Sequence, residues 1–479
     1  MKITLATIHC NPDFTPLALL YLKAYLVEKK GHLESDVSIL ECHPATSVDE
    51  FVSDILKTKP KVVGLSCYIW NIKTLMNASC LLKKADPELK IILGGPEVGS
   101  ISLDVLKKHP YIDAIVKSEG EVPLSEIIEV FKCSDDLSLV KGISYRDGDE
   151  LHENMNAIIM SDLNSLPSPH NDKYGTFDKR FICLETQRGC VFKCSFCFYN
   201  KDYSIRNRRF DLTRVKAEIL YWLKKDVSQI YLMDPIFNLH GERAKEILRF
   251  IIEHNTNKVQ FHTEIWAEFV DEEMASLFSE ANFTFIEVGL QTTDENALTT
   301  VERKLRTEPF IRGIQNLTKF NLRIEVQLIF GLPGETLESF RNSIDFAASL
   351  NPYKIVVFPL MILPGTELWR KAGALKLVYD KEPFYFLRSS PSLSQEDFKH
   401  GHQLISAMNV VGISKAIRFL TREAKISLSE MAEEWVRWQN LDAKKATDLN
   451  AADENKMAKQ FVEYFCEKII SLLIFTGHL

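Results

Sequence analysis

No run of apolar residues in the chain is long enough to cross a bilayer. The longest near the carboxyl end, Ile469 to Phe475, falls far short of the roughly 20 residues a membrane helix needs, and no export-type apolar segment follows Met1. Nor is there a surplus of positive charge: the formal net charge is -7, and the longest Lys/Arg-rich run is Arg206 to Arg209. Internal repeats and low-complexity tracts are missing as well. A membrane span, a phosphate-backbone binder and a solenoid are thereby set aside, and a cytoplasmic globular protein is expected. The 479 residues, 46% hydrophobic and 26% charged, suit two or three domains. Of the ten cysteines, Cys10, Cys42, Cys67, Cys80, Cys133, Cys183 and Cys466 stand singly and read as small buried hydrophobes of a reducing compartment.

An α/β architecture in three parts is expected. Over residues 1–141, β-branched runs (Ile3 to Ile8, Val37 to Leu40, Val62 to Ser66, Ile91 to Leu93, Ala114 to Val116) alternate with helical patterns. That is the mark of a parallel sheet buried on both faces, a flavodoxin-like (Rossmann-type), doubly wound domain. Residues 142–180, with Asp147-Gly148-Asp149 as a hairpin signal and Pro167, Pro169 and Gly175 as breakers, read as a linker. Over 181–372 six further βα units predict a partial (β/α)6 TIM-like barrel whose functional groups follow the strands. From 373 to 479 no strand is evident; Ser394-Gln395-Glu396-Asp397 opens a helix, Lys456 to Leu473 is amphipathic, and a helical module is expected.

Cys190-Val191-Phe192-Lys193-Cys194-Ser195-Phe196-Cys197 places three thiols on one short loop directly after an expected strand. Three thiolates can hold three irons of a cubane and leave the fourth without a protein ligand. Structural zinc would be closed by four ligands, and the nearest downstream histidine is His240. The loop resembles the signature of the radical S-adenosylmethionine superfamily, Cys-x3-Cys-x2-Cys with an aromatic residue, here Phe196, before the last cysteine. That resemblance implies a 4Fe-4S cluster on Cys190, Cys194 and Cys197, S-adenosylmethionine on the open iron, and a 5'-deoxyadenosyl radical that takes hydrogen from the substrate. It also implies an electron donor such as flavodoxin or ferredoxin. Asp234, after the second barrel strand, is then the expected partner of the methionyl amino group. Phe196, Glu264, Glu287, Gln291, Gln327, Phe330 and Gly331 are the other expected contacts of S-adenosylmethionine.

Gly94-Gly95-Pro96-Glu97 and Ser118-Glu119-Gly120-Glu121 resemble loops of radical enzymes with an N-terminal cobalamin-binding domain, where glycines let a corrin approach the backbone. Thr15-Pro16-Leu17 and Ser66-Cys67-Tyr68-Ile69-Trp70-Asn71 would complete the rim. The Asp-x-His-x-x-Gly motif that supplies a lower axial histidine is absent, so Trp70 or Tyr68 is expected beneath the corrin, with core packing of Trp70 as the alternative.

The implied function is cobalamin-dependent C-methylation of a small-molecule, lipid or peptide substrate. Ring formation or oxidation by the same layout is one alternative, and a non-enzymatic cobalamin sensor or carrier is another. A methylthiotransferase with a second cluster on Cys10, Cys42 and Cys80 is a third, weakened by the helical pattern around Cys80.

Overall fold

Strand β1 (Ile3–Ile8) is buried at every position, because helices pack on both faces of its sheet. The chain is seen in a computed structural model that describes residues 1–11, 13–174, 179–200, 207–441 and 458–466. Gly175, Arg206 and both ends of the Lys456 to Leu473 segment lie outside these; 458–466 is helical. Strands β2 (Val37–Cys42), β3 (Val62–Ser66), β4 (Lys90–Gly94) and β5 (Ala114–Val116) join β1 in parallel, in the order β2-β1-β3-β4-β5. The order reverses direction between β1 and β3, which opens a crevice outside their carboxyl ends.

The hairpin assigned to the linker belongs to this sheet instead. Strands β6 (Ile143–Asp147) and β7 (Glu150–Glu153) add to it antiparallel, Val116 facing Ile143, with Gly148 at φ 55° in the turn. β6 is buried over its first three residues between β5 and β7, and the more exposed β7 forms the edge; local sequence could not attach the pair to a sheet whose last parallel strand ends 27 residues earlier.

The second sheet consists of β8 (Phe181–Leu184), then, past a short ladder of β9 (Gln187–Arg188) with β10 (Arg208–Arg209), the strands β11 (Gln229–Leu232), β12 (Gln260–Ile265), β13 (Phe283–Gln291), β14 (Ile324–Phe330) and β15 (Lys354–Pro359). Its six strands are parallel and neighbour one another in chain order, so the sheet curls as a partial barrel.

Both free edges of the barrel are covered. Phe14 bridges to Phe181 beside β8, and the Thr15 hydroxyl accepts the Cys183 N–H at 2.9 Å. On the other side, Ile355 N–H donates to Gly412 O, and Leu360 to Ile362 pair with Tyr385 to Leu387. The tail is therefore not purely helical: β16 (Val378–Tyr379) and β17 (Leu387–Ser389) form a small hairpin before the helix Gln395–Val411, whose Ser394–Asp397 capping box is present. Among the described residues no single helix is long and apolar enough to cross a membrane.

Candidate functional site

The cysteine loop leaves the β9 strand through Gly189, at φ +87°. It is fixed from two sides: Ser195 N–H donates to Val301 O (2.9 Å), and Ser195 O accepts the Leu368 N–H (2.8 Å). Phe192 stacks on Trp266 at 3.9 Å, and the Arg303 guanidinium lies 4.5 Å from the same ring with Nη1 3.6 Å from Cys194 Sγ. Burial pushes the Cys197 thiol up to about 12 and raises that of Cys190, while Arg303 pulls both the other way. Metal binding must therefore displace protons from these thiols.

Among the described residues no three His, Cys, Asp or Glu side chains converge on a point that would hold a single ion. Three thiols binding three different irons need no such convergence, so the donor set fits a cubane better than zinc. The Ser195 hydroxyl in the same loop is buried and makes no hydrogen bond among the described residues. Phe196 packs against the barrel core.

Inside the barrel, register sets Glu264, Glu287 and Glu325 side by side across β12, β13 and β14. Tyr231 donates to Glu264 (2.9 Å) and stacks on His262 (4.3 Å), whose Nε2 lies 2.7 Å from Glu287. Gln327 Nε2 donates to Glu287 (2.7 Å) and Glu325 (2.8 Å), and Lys354 pairs with Glu325. Gln291, at φ 72° on a bulge, folds back over Gly289, whose carbonyl accepts from Arg303. Glu264, Glu287 and Gln327 are thus brought into one polar cluster inside the barrel, while Gln291 stands at the β13 exit beside Gly289.

Burial, then the neighbouring Glu287, raises the Glu264 carboxyl to about 7. The folded chain then holds a proton that the unfolded chain releases near its ordinary value, so stability falls as pH rises between about 4.5 and 7 and is level above. Glu264→Gln is expected to remove that fall, gaining on the order of 2 kcal/mol relative to the native chain between pH 5 and pH 8 in urea unfolding. Parallel pH profiles for the two chains would refute the burial account.

Three expected contacts of S-adenosylmethionine are corrected. Asp234 is 1% exposed and accepts from Thr186 N (2.8 Å), Thr186 Oγ1 (2.5 Å) and Gln187 N (3.1 Å). Its carboxylate closes the β8 exit onto the β11 exit and is not offered to an amine. Phe330 is buried against Phe340 and Phe398, on the face of β14 opposite to Gln327, and Gly331 N–H donates to buried Glu335 (2.8 Å).

The front crevice is corrected more heavily. Thr15 and Leu17, with Pro16 buried between them, dock on β8 and its core rather than rimming the crevice. Cys67 is wholly buried, and Gly95, at φ +104°, answers to it: a Cβ there would meet Cys67 O at 2.5 Å. The glycine serves loop-to-loop approach. Asn71 is a clip, donating to Thr7 Oγ1, Ile8 O and Ser66 O while accepting from Tyr68 N.

Three carboxylates of the expected rim are also taken. Glu97 accepts from Tyr385 of the tail, Glu119 from Arg208, and Glu121 from Arg188 (2.8 Å). Ser66, Gly94, Pro96 and Gly120 remain half-buried at the mouth. There Trp70, 42% exposed, stacks on Tyr68 at 4.5 Å. Trp70 is therefore not core, and the pair forms an aromatic shelf at the end of β3. Arg188, Arg208, Arg303, Tyr231 and His262 were not singled out from sequence; only Arg188, beside the cysteine loop, carried a positional signal.

Two family descriptions match the chain: the radical SAM superfamily over residues 184–347 and the B12 binding domain over residues 3–128. The cobalamin-dependent radical SAM methyltransferase TokK of Streptomyces tokunonensis is 29% identical over 67% of this chain and 49% of its own length. The 2-(S-pantetheinyl)-carbapenam-3-carboxylate methyltransferase of Streptantibioticus cattleyicolor is 29% identical over 65% and 48%. The chain thus spans about half the length of these curated relatives. In fold it is similar to the radical S-adenosylmethionine methyltransferase TsrM of Kitasatospora setae, at 18% identity with a TM-score of 0.65, over 82% of this chain and 80% of that one.

Proposed function

We propose that this chain, whose residues 184–347 match the radical SAM superfamily and residues 3–128 the B12 binding domain, is a cobalamin-dependent radical SAM methyltransferase acting on a carbon of a small molecule. The observation that carries this reading is the meeting of two mouths. The aromatic shelf of the front crevice and the cysteine loop belong to units joined by one seam, through Phe14 on β8 and Glu119 on Arg208.

When bound, the cluster with S-adenosylmethionine supplies a 5'-deoxyadenosyl radical and cobalamin supplies a transferable methyl group. The chain's own residues bind, orient and exclude water. Cys190, Cys194 and Cys197 hold three irons. Arg303, beside the Cys194 sulfur, offers a cation to the carboxylate of the methionyl group. Glu264 and Glu287, oriented by Tyr231, His262 and Gln327, present acceptors to sugar hydroxyls. Phe192 stacked on Trp266 and Phe14 against Tyr231 keep water from the lumen. Tyr68 and Trp70 carry a corrin face, and a flavodoxin or ferredoxin supplies the electron.

Reconstitution with iron and sulfide tests the reading: about four irons per chain, an S-adenosylmethionine-dependent yield of 5'-deoxyadenosine and a corrin absorption spectrum are expected. About eight irons would instead support a second cluster and methylthiolation. Trp70→Ala removes a half-exposed ring with its Tyr68 stack and its hydrogen bond to Ile8 O, and is expected to cost about 1–2 kcal/mol of stability and to weaken corrin binding about tenfold in absorbance titration. Unchanged corrin affinity would remove the aromatic shelf from the site.

A further inference from the structure

Two arginines and three carboxylates are buried together immediately before the first cluster cysteine, and they come from both sides of the domain seam. Arg188 and Arg208 face each other across the β9–β10 ladder, so the hairpin holds two guanidinium groups side by side. The front domain neutralises them: Arg208 forks onto Glu119, and Arg188 Nη1 lies 2.8 Å from Glu121 and 3.7 Å from Glu119. Arg188 Nε reaches Glu185 at 2.9 Å, and its guanidinium lies 4.8 Å from the Tyr21 ring of the first front helix. The side chains of Arg188, Glu119 and Glu121 are each at most 12% exposed. Charges so buried are tolerable only with every partner in place, and removing one leaves the others uncompensated. The hairpin therefore keeps this geometry only while the Ser118–Glu121 loop sits against it.

From Arg188 one left-handed glycine leads to Cys190, and from Glu119 the same loop leads back to β5 at the crevice mouth. We infer that Arg188 is a positioning residue that ties the cluster loop to the front-domain loop beside the corrin crevice, so that occupancy of either site is felt at the other. This rests on the proposed assignment of the two cofactor sites. Coupling of this kind is reciprocal: a corrin that orders the loop tightens S-adenosylmethionine binding by the factor by which S-adenosylmethionine tightens the corrin.

The test compares the native chain with Glu121→Gln, which removes one charge yet leaves Arg188 both Glu185 and Glu119. Both are reconstituted with and without hydroxocobalamin, and iron content and corrin absorbance are recorded first. S-adenosylmethionine affinity is then measured by equilibrium dialysis, together with the EPR spectrum of the reduced cluster. In the native chain corrin is expected to tighten S-adenosylmethionine binding about fivefold and to alter the EPR line shape. In Glu121→Gln, at equal iron and corrin content, both changes should vanish, and Glu119→Gln should repeat the loss through Arg208. A corrin effect that persists in the variants, or is missing in the native chain, overturns the inference, even if the variants unfold at lower temperature. A native chain that takes up neither iron nor corrin overturns the site assignment and the coupling with it.

Discussion

A Cys194→Ala chain is expected to fold, to retain less than about one iron of the usual four, and to form no 5'-deoxyadenosine. Cys194 is 6% exposed and central to the loop, with Arg303 at its sulfur and with Cys190 and Cys197 close enough to sense its charge. Loss of one of three ligands leaves a cubane with two anchors. The control is Cys183→Ala, a thiol equally buried, at 4% exposure, but packed in the barrel core and bonded to nothing in the loop. Both substitutions sacrifice similar packing, about 1 kcal/mol, so urea unfolding should not separate them. Iron analysis should. Equal iron in the two variants would sink the ligand assignment.

The second large effect is expected at Gly95. An alanine there must adopt φ +104° and place its Cβ 2.5 Å from Cys67 O and 2.9 Å from Cys67 N, both backbone atoms that cannot swing aside. Left-handed strain and the clash together are expected to cost about 3 kcal/mol and to push the 67–71 loop from the 94–97 loop. Corrin affinity, read by absorbance titration, should drop about a hundredfold, the equivalent of nearly 3 kcal/mol. Gly94→Ala, whose Cβ would meet only Val116 Cβ at an ordinary 3.9 Å, should change both quantities little. If the two alanines behave alike, backbone approach is not what Gly95 serves.

Much of this site was legible because its signals are local. Strand and helix alternate at short range, and the three cysteines lie on one loop, so the sequence reading places β1 to β5, the six barrel strands and the cysteine loop where they stand. Gln327 and Phe330 show a signal that was present but unused: three positions apart on one strand they face opposite sides, so they cannot both line the lumen. What could not be read were partners distant in the chain. Glu121 meets Arg188 67 residues on, and Glu119 meets Arg208 after 89. An acid after a strand looks the same whether it greets a ligand or an arginine from another domain. Asp234 misled for a related reason, since two of its three donors are backbone groups of the preceding strand's exit, which carry no residue code, and the third is the Thr186 hydroxyl.

The covered edges of the barrel also set a timetable for synthesis. Phe14 and Thr15 are made before β8 and can receive it as it emerges, but the far edge waits for the tail, and the front-domain loop waits longer still: Tyr385 follows its partner Glu97 by 288 residues. At translation rates of about 5–20 residues per second, that interval is roughly a quarter of a minute to a minute. Through most of it the front domain can be complete while the nascent barrel grows one strand at a time behind it. Slowed translation between β15 and Gly412 would lengthen the period in which β15 offers unpaired backbone to another chain, and heterologous yield should respond to that stretch of message.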